Sequence, residues 1–100
     1  MGRLRPRFKS HEQSRTKRSP ADLYDAALRH FLSKRYGPAE DRARQALTLD
    51  PKHADSLHLL GLVHWQTNRR DLAVDLIASA IRCNPNNHEY FLNLGELLRD

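Results

Sequence analysis

A second cysteine is missing from this chain: Cys83 stands alone, so no internal disulfide can close, and a reducing compartment suits it. No apolar run approaches the roughly 20 residues of a membrane span, and no h-region of a signal peptide is present, which argues against secretion. The expected location is therefore cytoplasmic. Metal chemistry also lacks its usual signature. There are six histidines, but His58 and His64 are six apart and His30 sits far upstream, so no pair stands at i, i+4 on one helix face. With one cysteine, a zinc set is not expected, nor any other cofactor. Asp50, Asp71 and Asp75 are expected at helix ends or on outer faces, with no paired-carboxylate geometry implied. His30 and His64 are read as helix-packing residues, and Cys83 as a buried structural thiol because its repeat equivalent is Leu49.

A net positive charge is also absent outside one segment. Residues 1–19 hold seven Lys/Arg against the single acid Glu12, while residues 20–100 hold ten basic and eleven acidic side chains. The first eighteen residues have only Leu4 and Phe8 as sizeable apolar groups, too few to offset the entropy of ordering them, and are read as a disordered, solvated basic arm. Contact with nucleic acid or an anionic surface through its Lys/Arg is the secondary reading, and a transit peptide is a third. A myristoylation signal is excluded by Pro6, which stands where Ser or Thr is needed.

What the chain does have is a repeat. A shift of 34 residues places Leu23 on Leu57, Leu28 on Leu62, His30 on His64, Arg35 on Arg69, Ala39 on Ala73, Ala46 on Ala80 and Pro51 on Pro85. Phe91, Leu94 and Gly95 then fall on Leu57, Leu60 and Gly61. Such a period marks a stacked helical array. Its total of 39% hydrophobic and 29% charged residues fits a small, all-α domain.

Ser19-Pro20-Ala21-Asp22 reads as a cap, a first helical proline and a capping box opening the first helix. Tyr36-Gly37-Pro38 reads as the following turn, with Gly37 supplying positive φ and Pro38 starting a second helix that runs to Leu49. In that helix Ala39, Ala43, Ala46, Leu47 and Leu49 are expected to face inward, and Asp50-Pro51 ends it. The next unit repeats the plan: a helix over Ala54–Gln66, a turn at Asn68, and a helix over Arg70–Cys83 packing Leu72, Ala73, Leu76, Ile77, Ala80 and Ile81. A last helix starts near Asn87 and runs to Asp100.

The positions Leu57, Leu60-Gly61, Ala73, Ile77, Ala80 and Pro85 resemble the pattern of the tetratricopeptide repeat. Leu23, Ala26-Ala27, Ala39, Ala43, Ala46 and Pro51 match it in the first unit, and Phe91 with Leu94-Gly95 in the third; His30 and His64 depart from the family's tyrosine. The resemblance implies antiparallel helix–turn–helix repeats stacked as a short right-handed superhelical solenoid, with units at about 20–53 and 54–87 and a half unit at 88–100. It implies no catalysis but a concave groove, lined by the first helix of each unit, that takes a peptide or partner protein. Groove side chains would be Tyr24, Leu28 and Phe31, then His58, Leu62, Trp65 and Gln66, then Leu92, Asn93 and Glu96. Trp65 could be a binding anchor or could pack on the neighbouring unit. The Lys/Asn/Arg clamp of chaperone-binding members is replaced here by Tyr24 and Leu28. The run NPNNHEYFLNLGELLR also resembles repeats of protein O-GlcNAc transferases, with Asn93 at a position of their asparagine ladder, while Asp25 and Leu59 do not match it.

A solenoid usually needs about three repeats and a polar capping helix. Here Phe91, Leu94 and Leu98 have no second helix to pack on, so the chain is expected to be the N-terminal piece of a longer protein or to self-associate through its last helix. The leading function is a protein-interaction scaffold, and the alternative is the repeat region of a glycosyltransferase with its catalytic domain downstream. Nucleic acid is not the expected partner.

Overall fold

The computed structural model describes residues 19–99; the basic arm and Asp100 lie outside them. Among the described residues are five helices and no strand: α1 (Pro20–Leu32), α2 (Tyr36–Leu49), α3 (Ala54–Gln66), α4 (Arg70–Cys83) and α5 (His88–Arg99). Helices α1 and α2 pair, as do α3 and α4, and α5 opens a third unit against α4. Contacts between α1 and α3 place the first helix of each pair in one layer, with α2 and α4 behind it.

The start of α1 follows the sequence. The Ser19 hydroxyl accepts the Asp22 N–H at 3.0 Å, and Pro20 occupies the first turn, where its missing N–H leaves nothing unpaired. The first turn, however, is not built on glycine. Helix α2 begins at Tyr36, two residues before the expected Pro38, and no glycine among the described residues has positive φ. The left-handed residue is Lys34 (φ 62°), one repeat before Asn68 (φ 65°). Both helix ends close identically, the Arg35 N–H donating to the His30 carbonyl and the Arg69 N–H to the His64 carbonyl, each at 2.8 Å. That bond requires its left-handed residue immediately before the donor, a place Gly37 cannot fill. Gly37 and Pro38 sit inside the first turn of α2, where a proline is tolerated because its amide has no helical partner.

The joints between units also match. Asp50 and Asn84 end α2 and α4 in extended backbone, as a residue before proline should. Each side chain then accepts an N–H two residues on, Lys52 at 3.1 Å and Asn86 at 3.4 Å.

Packing explains the alanines. Ala39, Ala43 and Ala46 of α2 and Ala73 and Ala80 of α4 are fully buried, letting neighbouring backbones approach closely. One core cluster joins Ala27, Ala43, Leu59 and Leu60, a second Leu57, Ala80 and Tyr90, and a third Ala73, Ile77 and Leu97. The central helix α3 is covered on most sides, with Ser56 through Gly61 and Val63-His64 all buried. The unit at 54–85 therefore holds the core together.

Three inward assignments are corrected. Leu49 and Leu72 are about half exposed, and Cys83 is exposed. The buried stripes run Ala39, Ala43, Ala46 and Ala73, Ile77, Ala80. Leu49 and Cys83 lie three residues past the last alanine, at the final helical position, and Leu72 one residue before the first. They fall on the flank of the stripe rather than in it. His64 is buried as expected, between the Arg44 guanidinium (3.4 Å from Nε2) and that of Arg69 (3.5 Å from Nδ1). Glu40, paired with Arg44 at 3.0 Å, balances part of that charge. Burial, opposed by Glu40 and reinforced by the two arginines, pushes the His64 ring below the ordinary histidine pKa.

Candidate peptide-binding groove

Three helices of one type stand side by side, and helical geometry gives each an outward stripe. On α1 it runs Tyr24, Leu28, Phe31; on α3 His58, Leu62, Trp65; on α5 Leu92, Glu96, Arg99. These stripes are repeat equivalents of one another. Tyr24, His58 and Leu92 stand one period apart, and so do Leu28, Leu62 and Glu96.

The stripes differ in how much they leave free. On α1, Tyr24, Leu28 and Phe31 are partly buried, leaning on the cluster around Leu59 and Leu60. The Tyr24 ring lies 6.0 Å from that of His53, and Phe31 5.7 Å from Tyr36. Burial, with the charges of Asp55, Glu89 and Asp25, pushes the Tyr24 phenol above its usual pKa. On α3, Leu62 and Trp65 are partly buried against Ala73, Ile77 and Leu97. Trp65 thus packs on the neighbouring unit while keeping one side open. Gln66 is exposed. On α5, Leu92 is 59% exposed, and Glu96 is exposed with a loose partner in Arg99 at 3.6 Å.

His58 and Asn93 are drawn together instead of facing outward. His58 is only 6% exposed, and the Asn93 amide donates to its Nε2 at 2.8 Å, which leaves the ring proton on Nδ1. The Tyr90 ring lies 4.7 Å from the same imidazole, and its hydroxyl donates to the Asp55 carboxylate. Burial, opposed by Glu89 and Asp55, pushes His58 below its ordinary pKa. Burial and the Asp55 hydrogen bond push Tyr90 well above the usual phenol range. These four side chains hold α5 on α3. Both bonds span 35 residues, the repeat period plus one, because α5 meets α3 one residue out of register. Aligning the chain at 34 alone hides them, and Asp55 and Tyr90 were missed for that reason.

Among the described residues no three His, Cys, Asp or Glu side chains gather in a way that could hold a metal ion. Nor is any helix among them long and apolar enough to cross a membrane.

The geometry defines an all-α solenoid of tetratricopeptide-like repeats. Comparison with known proteins agrees with it. Mouse (Mus musculus) tetratricopeptide repeat protein 7B is 36% identical over 55 residues, and the human (Homo sapiens) protein 34% over 55. Each match takes in 55% of this chain but 6% of the relative, so the chain spans a small part of those proteins. No family model matches the chain. Among solved structures, the first repeat domain of Spaghetti (RPAP3), bound to the HSP90 peptide SRMEEVD, superposes with a TM-score of 0.75 at 19% identity. The match takes in 80% of this chain and 64% of that one, and it is a likeness of fold. A variant of the O-GlcNAc transferase of Thermobaculum terrenum superposes at 0.76 with 29% identity, over 79% of this chain and 15% of that enzyme.

Proposed function

We infer that the chain is a non-catalytic scaffold that takes a peptide or partner protein on the layer formed by α1, α3 and α5. The observation that carries this is the repeated outward stripe. Tyr24, Leu28, Phe31, Leu62, Trp65, Gln66, Leu92 and Glu96 leave apolar and polar surface open along one layer of helices. A similarly folded domain holds a peptide, by the name it carries. The ligand here differs in charge from that acidic peptide. Asp25, Asp55, Glu89 and Glu96 belong to the groove helices, and Tyr24 and Leu28 stand where a clamp would place cations. Residues 19–99 hold ten basic and ten acidic side chains, a balance that favours a protein partner over nucleic acid. A cytoplasmic setting is part of this reading.

Peptides selected from a random displayed library on the full chain test it. Leu92→Ala and Gln66→Ala should each weaken the selected peptide about fivefold or more, the loss expected of a contact worth ~1 kcal/mol. Arg42→Ala, exposed on α2, should change nothing. Equal affinities for all three variants would overturn the groove assignment.

A second reading, the repeat region of a glycosyltransferase, is supported by the 29% identity to the bacterial enzyme and by Asn93 at its ladder position. Against it, the Asn93 amide is already engaged by His58.

A further inference from the structure

The groove is apolar along its stripes and acidic where its three helices begin. Asp22 and Asp25 stand on α1, Asp55 on α3 and Glu89 on α5, and residues 20–26, 54–60 and 88–93 contain no Lys or Arg. Asp55 and Glu89 lie two turns before Leu62 and Glu96 on the same stripes. Asp25, Asp55 and Glu89 are exposed, and among the described residues none of them forms an ion pair with Lys or Arg. The helix starts sit side by side: the Tyr24 ring lies 6.0 Å from that of His53, and the Tyr90 hydroxyl donates to Asp55. Burial and then the combined charge of Asp55, Glu89 and Asp25 raise the Tyr24 phenol, so carboxylates of three helices act on one end of the groove.

The chain holds a segment of the matching pattern. Residues 3–9 read Arg-Leu-Arg-Pro-Arg-Phe-Lys, a strict alternation of basic and apolar side chains. In extended backbone, which Pro6 favours at Arg5, Leu4, Pro6 and Phe8 share one side and Arg3, Arg5, Arg7 and Lys9 the other. We propose that residues 3–9 of the basic arm dock in extended form across α1, α3 and α5, filling the groove until a stronger ligand displaces them. This rests on that layer being the ligand site, and adds what occupies it first. Crossing the helices, the segment turns Leu4 and Phe8 toward Leu28, Leu62 and Trp65, and its cations toward the carboxylates at the helix starts. The tether allows it. Ten peptide steps from Lys9 to Ser19 reach up to about 33 Å, against two interhelical steps of about 10 Å from α1 to α5. The arm joins at Ser19, the cap of α1, and so meets the acidic end first. Tethering also gives it an effective concentration of about 1 mM, so contacts too weak to hold a free peptide are enough.

The test uses the full chain and its one tryptophan, Trp65. One variant carries Arg3→Gln, Arg5→Gln, Arg7→Gln and Lys9→Gln, and another Leu4→Ser with Phe8→Ser, so both change only the arm. Amide shifts of each should differ from those of the unmodified chain at Leu28, Leu62, Trp65, Asp25 and Glu89. For the charge variant the differences should shrink as salt rises from about 20 mM to about 0.5 M. A synthetic peptide of residues 1–18, added to the charge variant, should change Trp65 fluorescence saturably, and Asp25→Asn with Glu89→Gln should weaken it about fivefold or more. A library-selected groove peptide should bind the charge variant about tenfold more tightly than the unmodified chain, the factor set by a tether of about 1 mM on a site of about 0.1 mM affinity. Equal affinity for both chains, with that peptide still mapping to the groove, would overturn the docked arm and leave the groove standing. A selected peptide that maps elsewhere on both chains would remove the groove, and this proposal with it. Arm-dependent dimerisation in sedimentation would put the arm on a second copy. An arm without effect on the groove shifts that binds a DNA duplex would assign it to nucleic acid. Either result overturns docking within one chain.

Discussion

Gly61 and Gly95 hold the same position in successive repeats, yet alanine should stabilise the fold at Gly95 and not at Gly61. At Gly95 the new methyl meets nothing within 4 Å, so only the helix-propensity gain applies, about 0.5–1 kcal/mol. At Gly61 the same methyl would lie 2.7 Å from Ile77 Cγ1 and 3.2 Å from the Ala73 carbonyl oxygen. Neither neighbour yields easily. Ile77 is fully buried and branched at Cβ, and the carbonyl belongs to the backbone of α4. Overpacking of this kind costs about 1–3 kcal/mol, which outweighs the propensity gain at the larger end and cancels it at the smaller. The two variants should therefore differ by about 1–3 kcal/mol. In a domain of this size ~1 kcal/mol moves the melting midpoint by about 4–8 °C. Thermal melts of Gly61→Ala and Gly95→Ala followed by circular dichroism read the difference directly. Equal stabilisation by both would refute the claim that α3 and α4 meet through Gly61 while the matching face of α5 stands open.

Lys34→Asn should stabilise the fold by about 0.5–1 kcal/mol, since φ at Lys34 is 62° and asparagine, used at Asn68, tolerates that region better; chemical denaturation checks it. Tyr90 has its pKa raised in the fold, so its contribution is complete below the unfolded value near 10 and is lost as pH climbs above it. Tyr90→Phe should flatten that alkaline slope and, because Asp55 reaches water, remove about 1 kcal/mol at neutral pH. His58 and His64 have lowered pKa values, so the stability they contribute is complete above about 6.5 and declines as pH falls below it. Both rings should titrate by NMR below the ordinary histidine range, and melting temperature should drop between pH 7 and pH 5. Cys83, being exposed, should react with a thiol reagent in the native protein, and Cys83→Ser should alter stability by no more than about 0.5 kcal/mol.

The 34-residue period carries most of the fold. It places the bounds of α3 and α4 to the residue, because turn and proline positions recur in both units. Its misses have separate causes. Gly37 looked like the natural left-handed residue, but shifting Asn68 back by one period lands on Lys34. Cys83 inherited an apolar reading from Leu49, although both sit at a helix end beyond the alanine stripe. The groove stripes were legible as faces of single helices. What could not be read was the loss of His58 and Asn93 to each other, since that contact depends on the one-residue offset between α3 and α5. Trp65 shows the same limit, its indole divided between the Leu97 cluster and the open side by the placement of α5.

The central claim is that the α1, α3, α5 layer receives the ligand, and amide chemical-shift mapping with a library-selected peptide tests it most directly. Shifts should concentrate on Tyr24, Leu28, Phe31, Leu62, Trp65, Gln66, Leu92 and Glu96, leaving the exposed positions Arg42 and Leu49 of α2 unmoved. Shifts confined to α2 and α4 would place the ligand on the outer layer and contradict the account.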